Sequence, residues 1–327
     1  MKILVTGAAG FIGSYVSQIL LNRGDVVYGV DNLNDYYDPQ LKRDRLAQFE
    51  NHPNFTFQKL DIADADAVAQ LFADFAPDAV VHLAAQAGVR YSLENPRAYI
   101  ESNIVGHLNI LEGCRHTPHL KHLVYASSSS VYGGNEKQPF SIEDKVDSPV
   151  SLYAATKKSD ELMSHCYSHL YKFPSTGLRF FTVYGPWGRP DMTPFVFTNA
   201  MKDGKAIKVF NHGQMKRDFT YIDDIAGGVV AALDTPAKPN ANGVCYAVYN
   251  IGNNEPETLL DYITEIEKAY GSEAKKEFLP MQAGDVHETY ADISQTTRDL
   301  GYKPTTPISV GIPKFVAWFK DYYGIKD

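Results

Sequence analysis

Val5-Thr6-Gly7-Ala8-Ala9-Gly10-Phe11-Ile12-Gly13 decides the fold of this chain. It follows a short apolar segment from Lys2 and opens an amphipathic stretch that reaches Gly24. Strand, glycine turn and helix, in that order, form the context in which such glycines bind a dinucleotide. Gly7 permits the tight turn and Gly10 lets backbone approach a pyrophosphate at the positive end of the helix. Gly13 allows helix and sheet to pack closely, and Phe11 and Ile12 count among the turn's cofactor contacts. A second strand, 26–30, delivers Asp31 and Asn32 to the same edge, where a carboxylate accepts bonds from an adenosine ribose. A nicotinamide dinucleotide is therefore expected. Lys42, Arg43 and Arg45 follow closely and could meet a 2′-phosphate. Asp31 would repel that phosphate, so NAD is expected rather than NADP.

Outward from this turn, apolar segments at 55–60, 79–83 and 123–126 read as buried strands. Helix patterns at 65–75 and 97–115 lie between them. Their alternation implies a doubly wound α/β fold: a parallel sheet with helices on both faces. A long helix is expected over 152–171, stopped by Pro174, and a strand over 176–183. Beyond Tyr184, Gly185, Pro186, Gly188, Pro190 and Pro194 crowd one stretch before a helix at 195–203. The later segments read as a smaller C-terminal α/β lobe, with 221–233 and 246–252 expected to return to the main sheet. Residues 1–183 plus about 221–252 would form the dinucleotide-binding domain. Residues from about 184–220 plus 253–327 would form the substrate lobe.

Composition narrows the partners. Of 327 residues 44% are hydrophobic and 21% charged, as in an ordinary globular protein. No apolar run is long enough to span a bilayer, and a strand starting at Lys2 leaves no room for a signal peptide. Cys114, Cys166 and Cys245 are scattered and odd in number, which suggests reduced thiols in a cytoplasmic protein. A net charge of −8 argues against a nucleic-acid partner. An anionic substrate would then need local arginines.

Tyr153-Ala-Ala-Thr-Lys157 opens the long helix, and a spacing of four puts phenol and ammonium on one face. A tyrosine of ordinary pKa about 10 needs about 4 kcal/mol of help to act as a base near pH 7. A cation about 4 Å away in a partly screened site supplies about that much. The same spacing also arises from packing plus a solvated lysine. The run Ala126-Ser127-Ser128-Ser129-Ser130-Val131-Tyr132-Gly133 leaves a buried strand at the carboxyl edge of the sheet, where ligands bind in open α/β folds. It is either a polar loop or a set of hydroxyl donors facing a substrate.

Taken together, these motifs resemble the extended short-chain dehydrogenase/reductase superfamily over almost the whole chain. Asp61-Ile62, His82-Leu83-Ala84-Ala85 and Arg217-Asp218-Phe219 carry the resemblance further. It implies cofactor contacts at Asp61, Ile62, Leu83, Ala84 and Ala85. It also places the hydroxyl partner of Tyr153 at Ser128, with Lys157 bonding the nicotinamide ribose as well. The dehydratase branch has Asp-Glu after that hydroxyl, and here Ser129 and Ser130 lack the acid and base that loss of water requires.

Among sugar-nucleotide enzymes the chain is most similar to the UDP-glucuronate 4-epimerases. The matching residues are Asn34-Asp35-Tyr36-Tyr37-Asp38, Gly185 through Met192, Val209-Phe210-Asn211-His212-Gly213 and Pro280-Met281-Gln282. That resemblance implies hydride exchange at C4 with NAD through a 4-keto sugar. It makes Ser129, Ser130 and Thr182 candidate ligands of the sugar carboxylate. Arg217 and Arg189 are expected at the diphosphate, and Asp285 among the substrate contacts. Ala283 stands where that branch usually has proline. The alternatives are a neutral UDP-hexose or UDP-N-acetylhexosamine epimerase, a UDP-glucuronate decarboxylase, and a non-catalytic NAD(H)-sensing module. The helices 97–115 and 152–171 resemble those of a four-helix homodimer interface.

Other residues carry weaker signals. His116, His119 and His122 lie in a connector without a nearby cysteine or carboxylate cluster, so no metal is expected. Asp223-Asp224 is expected to cap the helix that follows. Arg90 is expected to face substrate or solvent, Asn103 to serve a buried backbone bond, and Tyr167 and Tyr171 to pack between helices.

Overall fold

A computed structural model describes residues 1–281 and 288–325. Its principal sheet has seven parallel strands, in the order Tyr246–Ile251, Ser175–Phe180, His122–Ser128, Ala79–His82, Lys2–Thr6, Val26–Asp31, Phe55–Lys59. Ile3, Leu4 and Val5 are fully buried on both faces, as a strand covered by helices on each side requires. Phe11–Asn22 and Ile222–Asp234 cover one face, and Ala65–Phe75 and Gly106–Arg115 the other. The strand order turns around at Lys2–Thr6, which pairs Val26–Asp31 on one side and Ala79–His82 on the other. This reversal opens a crevice at the carboxyl edge, directly over the glycine turn.

The stretch 176–183, expected as one strand, is two. Ser175–Phe180 belongs to the main sheet, whereas Thr182–Tyr184 pairs with Lys216–Tyr221 in a second sheet completed by Pro256–Thr258 and Glu288–Thr289. Phe181 is the crossing point, and its buried ring lies near Tyr132 and Phe140. Segment 221–233 adds no strand to the main sheet. The chain leaves the second sheet at Tyr221 and enters the covering helix Ile222–Asp234, while Tyr246–Ile251 does return as an edge strand.

Asp223 and Asp224 sit inside the first turn of that helix, with Tyr221 at the cap position. They complement the helix dipole there. Asp224 also accepts from the backbone of Thr305 and Thr306, tying down the segment before the last helix. Asp218 has a comparable role. Its buried carboxylate accepts from the amides of Asn253, Asn254 and Ala291 and from Thr220 Oγ1.

The helix expected over 97–115 is interrupted. Pro96–Tyr99 is α-helical, Ile100–Val105 is π-helical and Gly106–Arg115 resumes the α form. A π turn accommodates one extra residue, and such turns concentrate near functional sites. Here it carries buried Asn103, which accepts from Gln86 N at 2.8 Å and donates to Gln86 O and Thr156 Oγ1. The long helix Leu152–Tyr171 starts as expected. Ser151 accepts from Ala154 N, and Lys172 ends the helix in the left-handed conformation two residues before Pro174.

Candidate active site

The glycine turn closes on itself so tightly that side chains are excluded. Gly7 has φ +73°, and a Cβ there would lie 2.8 Å from Ala84 N. A Cβ on Gly13 would come within 2.0 Å of the Gly7 carbonyl oxygen, so Gly13 packs on the turn itself as well as on the strand. Gly10 caps the helix Phe11–Asn22 and donates to Gly7 O at 2.9 Å. This side-chain-free cradle at a helix N-terminus fits a dinucleotide pyrophosphate.

Asp31 closes the second strand and accepts from Leu33 N at 2.8 Å. Burial pushes its carboxyl upward, opposed by Lys42, whose Nζ lies 3.9 Å away, and by backbone N–H groups. Lys42 itself donates to Asn34 Oδ1. Arg45 is fully buried. It donates to Ala9 O, Tyr37 Oη, Gly188 O and twice to Trp187 O, linking the glycine turn to the loop after Tyr184. Trp187 adopts φ +63°, an uncommon conformation for a bulky residue, and its carbonyl takes two of these bonds.

A cavity of about 670 Å³ runs from this turn along the crevice. Gly7, Gly10, Phe11, Ile12, Gly13, Asp31, Asn32, Ile62, Leu83, Ala84 and Ala85 line its cofactor end. Ser128, Ser129, Ser130, Tyr153, Lys157, Thr182, Arg90 and Arg189 line the rest. Asp61 lines a smaller adjoining cavity, where it accepts from Asn32 Nδ2 and Ala63 N. Arg217 lies in the second sheet, opposite Glu257 and Thr289, and does not line the main cavity. Asp285, Gln282 and Ala283 fall outside the described residues.

The reactive end is assembled from two elements. Tyr153 and Lys157 stand one turn apart on the long helix, with the Tyr153 ring edge-on to Tyr99 at 6.0 Å. Ser128 ends its strand and turns the chain into a 3₁₀ segment, and its Oγ lies 3.2 Å from both Ser130 Oγ and Ser130 N. Ser127 points the other way, donating to Glu161 at 2.7 Å. Lys157 is buried against Asp160 at 2.9 Å. Beneath them, His82 shares a 2.7 Å bond with Thr6 Oγ1, and burial followed by the Lys157 charge lowers its pKa to about 3.

On the far wall, residues from two distant stretches of the chain meet. Arg189 holds Asp191 through two bonds of 3.0 and 2.5 Å, and Tyr36 donates to the same carboxylate. Burial pushes the Asp191 carboxyl up, yet the Arg189 guanidinium overcomes this and holds it below the usual range. Arg90 lies over the Phe210 ring at 5.8 Å, joining the cavity wall to the 3₁₀ segment Phe210–Gly213. Tyr36 and Asp191 were visible only as parts of quoted motifs, because their meeting spans 155 positions. The three histidines are dispersed: His122 is buried between Leu233 O and Thr176 Oγ1, while His116 is exposed.

Residues 3–252 match the NAD dependent epimerase/dehydratase family. Protein CapI of Staphylococcus aureus is 54% identical, with 99% of each chain covered. UDP-glucuronate 4-epimerase 4 of Arabidopsis thaliana is 51% identical over 99% of this chain and 76% of its own. The crystal structure of UDP-glucuronic acid 4-epimerase from Bacillus cereus, in complex with UDP-glucuronic acid and NAD, superposes with a TM-score of 0.90. It is 39% identical, covering 99% of this chain and 100% of that one. With a family match over most of the chain and relatives above 50% identity along nearly all of it, the chain belongs to the NAD dependent epimerase/dehydratase family.

Proposed function

We propose that this protein interconverts UDP-glucuronate and UDP-galacturonate by NAD-dependent epimerisation at C4. The observation that carries the reading is the single crevice joining the glycine cradle to Ser128, Tyr153 and Lys157. Likeness along nearly the full chain to UDP-glucuronate 4-epimerases supports the choice of sugar. NAD, when bound, supplies reversible hydride acceptance at the sugar's C4. Tyr153 takes the C4 hydroxyl proton and later returns it, with Ser128 holding the same oxygen by a hydrogen bond. Lys157 has three donors. One goes to Asp160, which leaves two for the nicotinamide ribose and the phenolate. The 4-keto sugar is a β-keto acid, so its carboxylate must be kept out of the geometry that favours loss of carbon dioxide. Ser129, Ser130 and Thr182, on the cavity wall, orient it by hydrogen bonds in this reading. The smaller lobe, about 184–220 plus 253–327, holds the UDP portion, with Arg217 and Asp285 assigned to it by resemblance alone.

Incubating the purified protein with UDP-glucuronate and following the sugar protons by NMR tests the proposal. The expected product is UDP-galacturonate. UDP-xylose or its 4-keto precursor would instead mean decarboxylation, and turnover confined to neutral UDP-sugars would overturn the choice of substrate.

We also infer a homodimer. Leu162, Cys166 and Leu170 are exposed at intervals of four on the long helix, one apolar stripe, and Val105 and Leu108 are exposed on the helical segment at 100–115. Such a stripe on a charged protein is a surface for a second copy. Sedimentation equilibrium should return twice the chain mass, and a monomeric mass would refute the assignment. Among the described residues no helix is long and apolar enough to cross a membrane. With three unpaired cysteines, we assign the protein to the cytoplasm.

A further inference from the structure

Lys157 is not an isolated cation. Its ammonium bonds Asp160 Oδ2 at 2.9 Å, and the two side chains are only 4% and 1% exposed. Asp160 Oδ1 has no hydrogen-bond partner among the described residues. Tyr153, Lys157 and Asp160 stand at positions i, i+4 and i+7, one face of the helix through two turns. A lysine–aspartate pair at this spacing is ordinarily a solvated surface contact of little consequence. Here the pair is buried, four and seven residues along the helix from Tyr153, and in the interior charge acts over a longer range.

We propose that Asp160 is a positioning residue that sets the acid strength of Tyr153 by partly neutralising Lys157. This rests on the assignment of Tyr153 as the proton acceptor. The ammonium favours the phenolate, and a carboxylate behind the ammonium weakens that effect, so Asp160 holds the Tyr153 titration higher than Lys157 alone would place it.

The neighbouring charges leave this pair as the adjustable one. His82, on the strand Ala79–His82, and His107, on the helix Gly106–Arg115, are both held neutral, chiefly by burial. Glu161, next to Asp160, is bound by Arg179 and Lys158. Tyr99 meets Tyr153 edge-on, and Arg189, which acts on Tyr153 from the substrate side, is paired with Asp191. Burial pushes the Asp160 carboxyl up to about 6, against the opposing pull of Lys157. Above that pH the carboxylate mutes Lys157, and below it a neutral acid does not.

Asp160→Asn removes the charge while keeping an acceptor for Lys157. The acidic limb of the kcat/KM pH profile should move to lower pH by about one unit, because the ammonium beside Tyr153 is no longer partly neutralised. An ultraviolet difference titration of tyrosinate, each protein minus its Tyr153→Phe counterpart, should show the same shift without turnover. That titration reports on Tyr153 whether or not the protein epimerises UDP-glucuronate, so it separates failure of this inference from failure of the assigned reaction. Asp160→Glu should restore the original titration. Should the asparagine variant fail to fold, Asp160→Ser carries the same expectation. Tyrosinate titrations coinciding within about 0.3 unit would overturn the proposal and leave Asp160 as packing only.

Discussion

Tyr153→Phe is expected to lower UDP-glucuronate epimerisation by about 10³-fold or more, the upper range for loss of a positioned acid–base group. The substitution deletes one oxygen and little else. The ring keeps its edge-on contact with Tyr99, and the helix start is set by Ser151 rather than by the phenol. The glycine cradle and Asp31 lie on other elements, so bound NAD should be retained. Initial rates by NMR, with NAD content read after denaturation, check both halves of the expectation. Activity within tenfold of the parent would remove Tyr153 from the proton path and turn attention to Ser128.

Arg179→Met is expected to be the most damaging change away from the chemistry. Arg179 grips Glu161 through bonds of 2.8 and 2.9 Å, with side chains only 4% and 3% exposed. Burial pushes the Glu161 carboxyl up, but the Arg179 guanidinium and Ser127 overcome this and hold it below the usual carboxylate range. Taking the arginine away leaves that charge in the core with only Ser127 and the longer Lys158 contact of 3.4 Å, a loss of about 3–5 kcal/mol. In a chain of 327 residues that amounts to a fall in Tm of roughly 4–7 °C. The sign with pH follows. In the parent, a carboxyl held low contributes stability above the ordinary glutamate pKa and loses it as pH falls through the folded value. In the variant the carboxyl is raised instead, so the deficit should be largest near neutrality and shrink towards pH 5. Denaturant titrations at both pH values check this, and a deficit that does not vary with pH would refute the electrostatic account. Replacing both partners by apolar residues of similar volume should recover much of the loss.

The glycine turn, the strand alternation and the Tyr153–Lys157 spacing were legible because each rests on contacts within a few residues. What escaped the sequence rests on distant ones. Arg45, beside the Asp31 loop, was one of three cations that could have met a 2′-phosphate, but most of its bonds go to the carbonyls of Trp187 and Gly188, more than 140 positions away. Residues 176–183 read as one strand, and only the pairing of Thr182–Tyr184 with Lys216–Tyr221 divides them. The π turn at Ile100–Val105 leaves the hydrophobic rhythm nearly intact, although the buried bond expected of Asn103 is there. Asp223 and Asp224 obeyed the local rule for a helix start, but Tyr221 holds the cap and Asp224 instead holds Thr305 and Thr306. Asp160 was in plain view three residues past Lys157, yet nothing local distinguishes a buried pair from a solvated one.

Arg45 has a consequence beyond fastening two loops. It faces carbonyl and phenol oxygens, and no carboxylate among the described residues lies within ion-pair distance, so its full positive charge persists beneath the glycine turn. The molecule as a whole carries −8 and repels anions at long range. Dissolved ions damp that outer repulsion within about 10 Å at ordinary ionic strength, but reach a buried charge far less. The positive charge beneath the turn is thus one that electrolyte scarcely weakens, while the outer repulsion fades as salt rises.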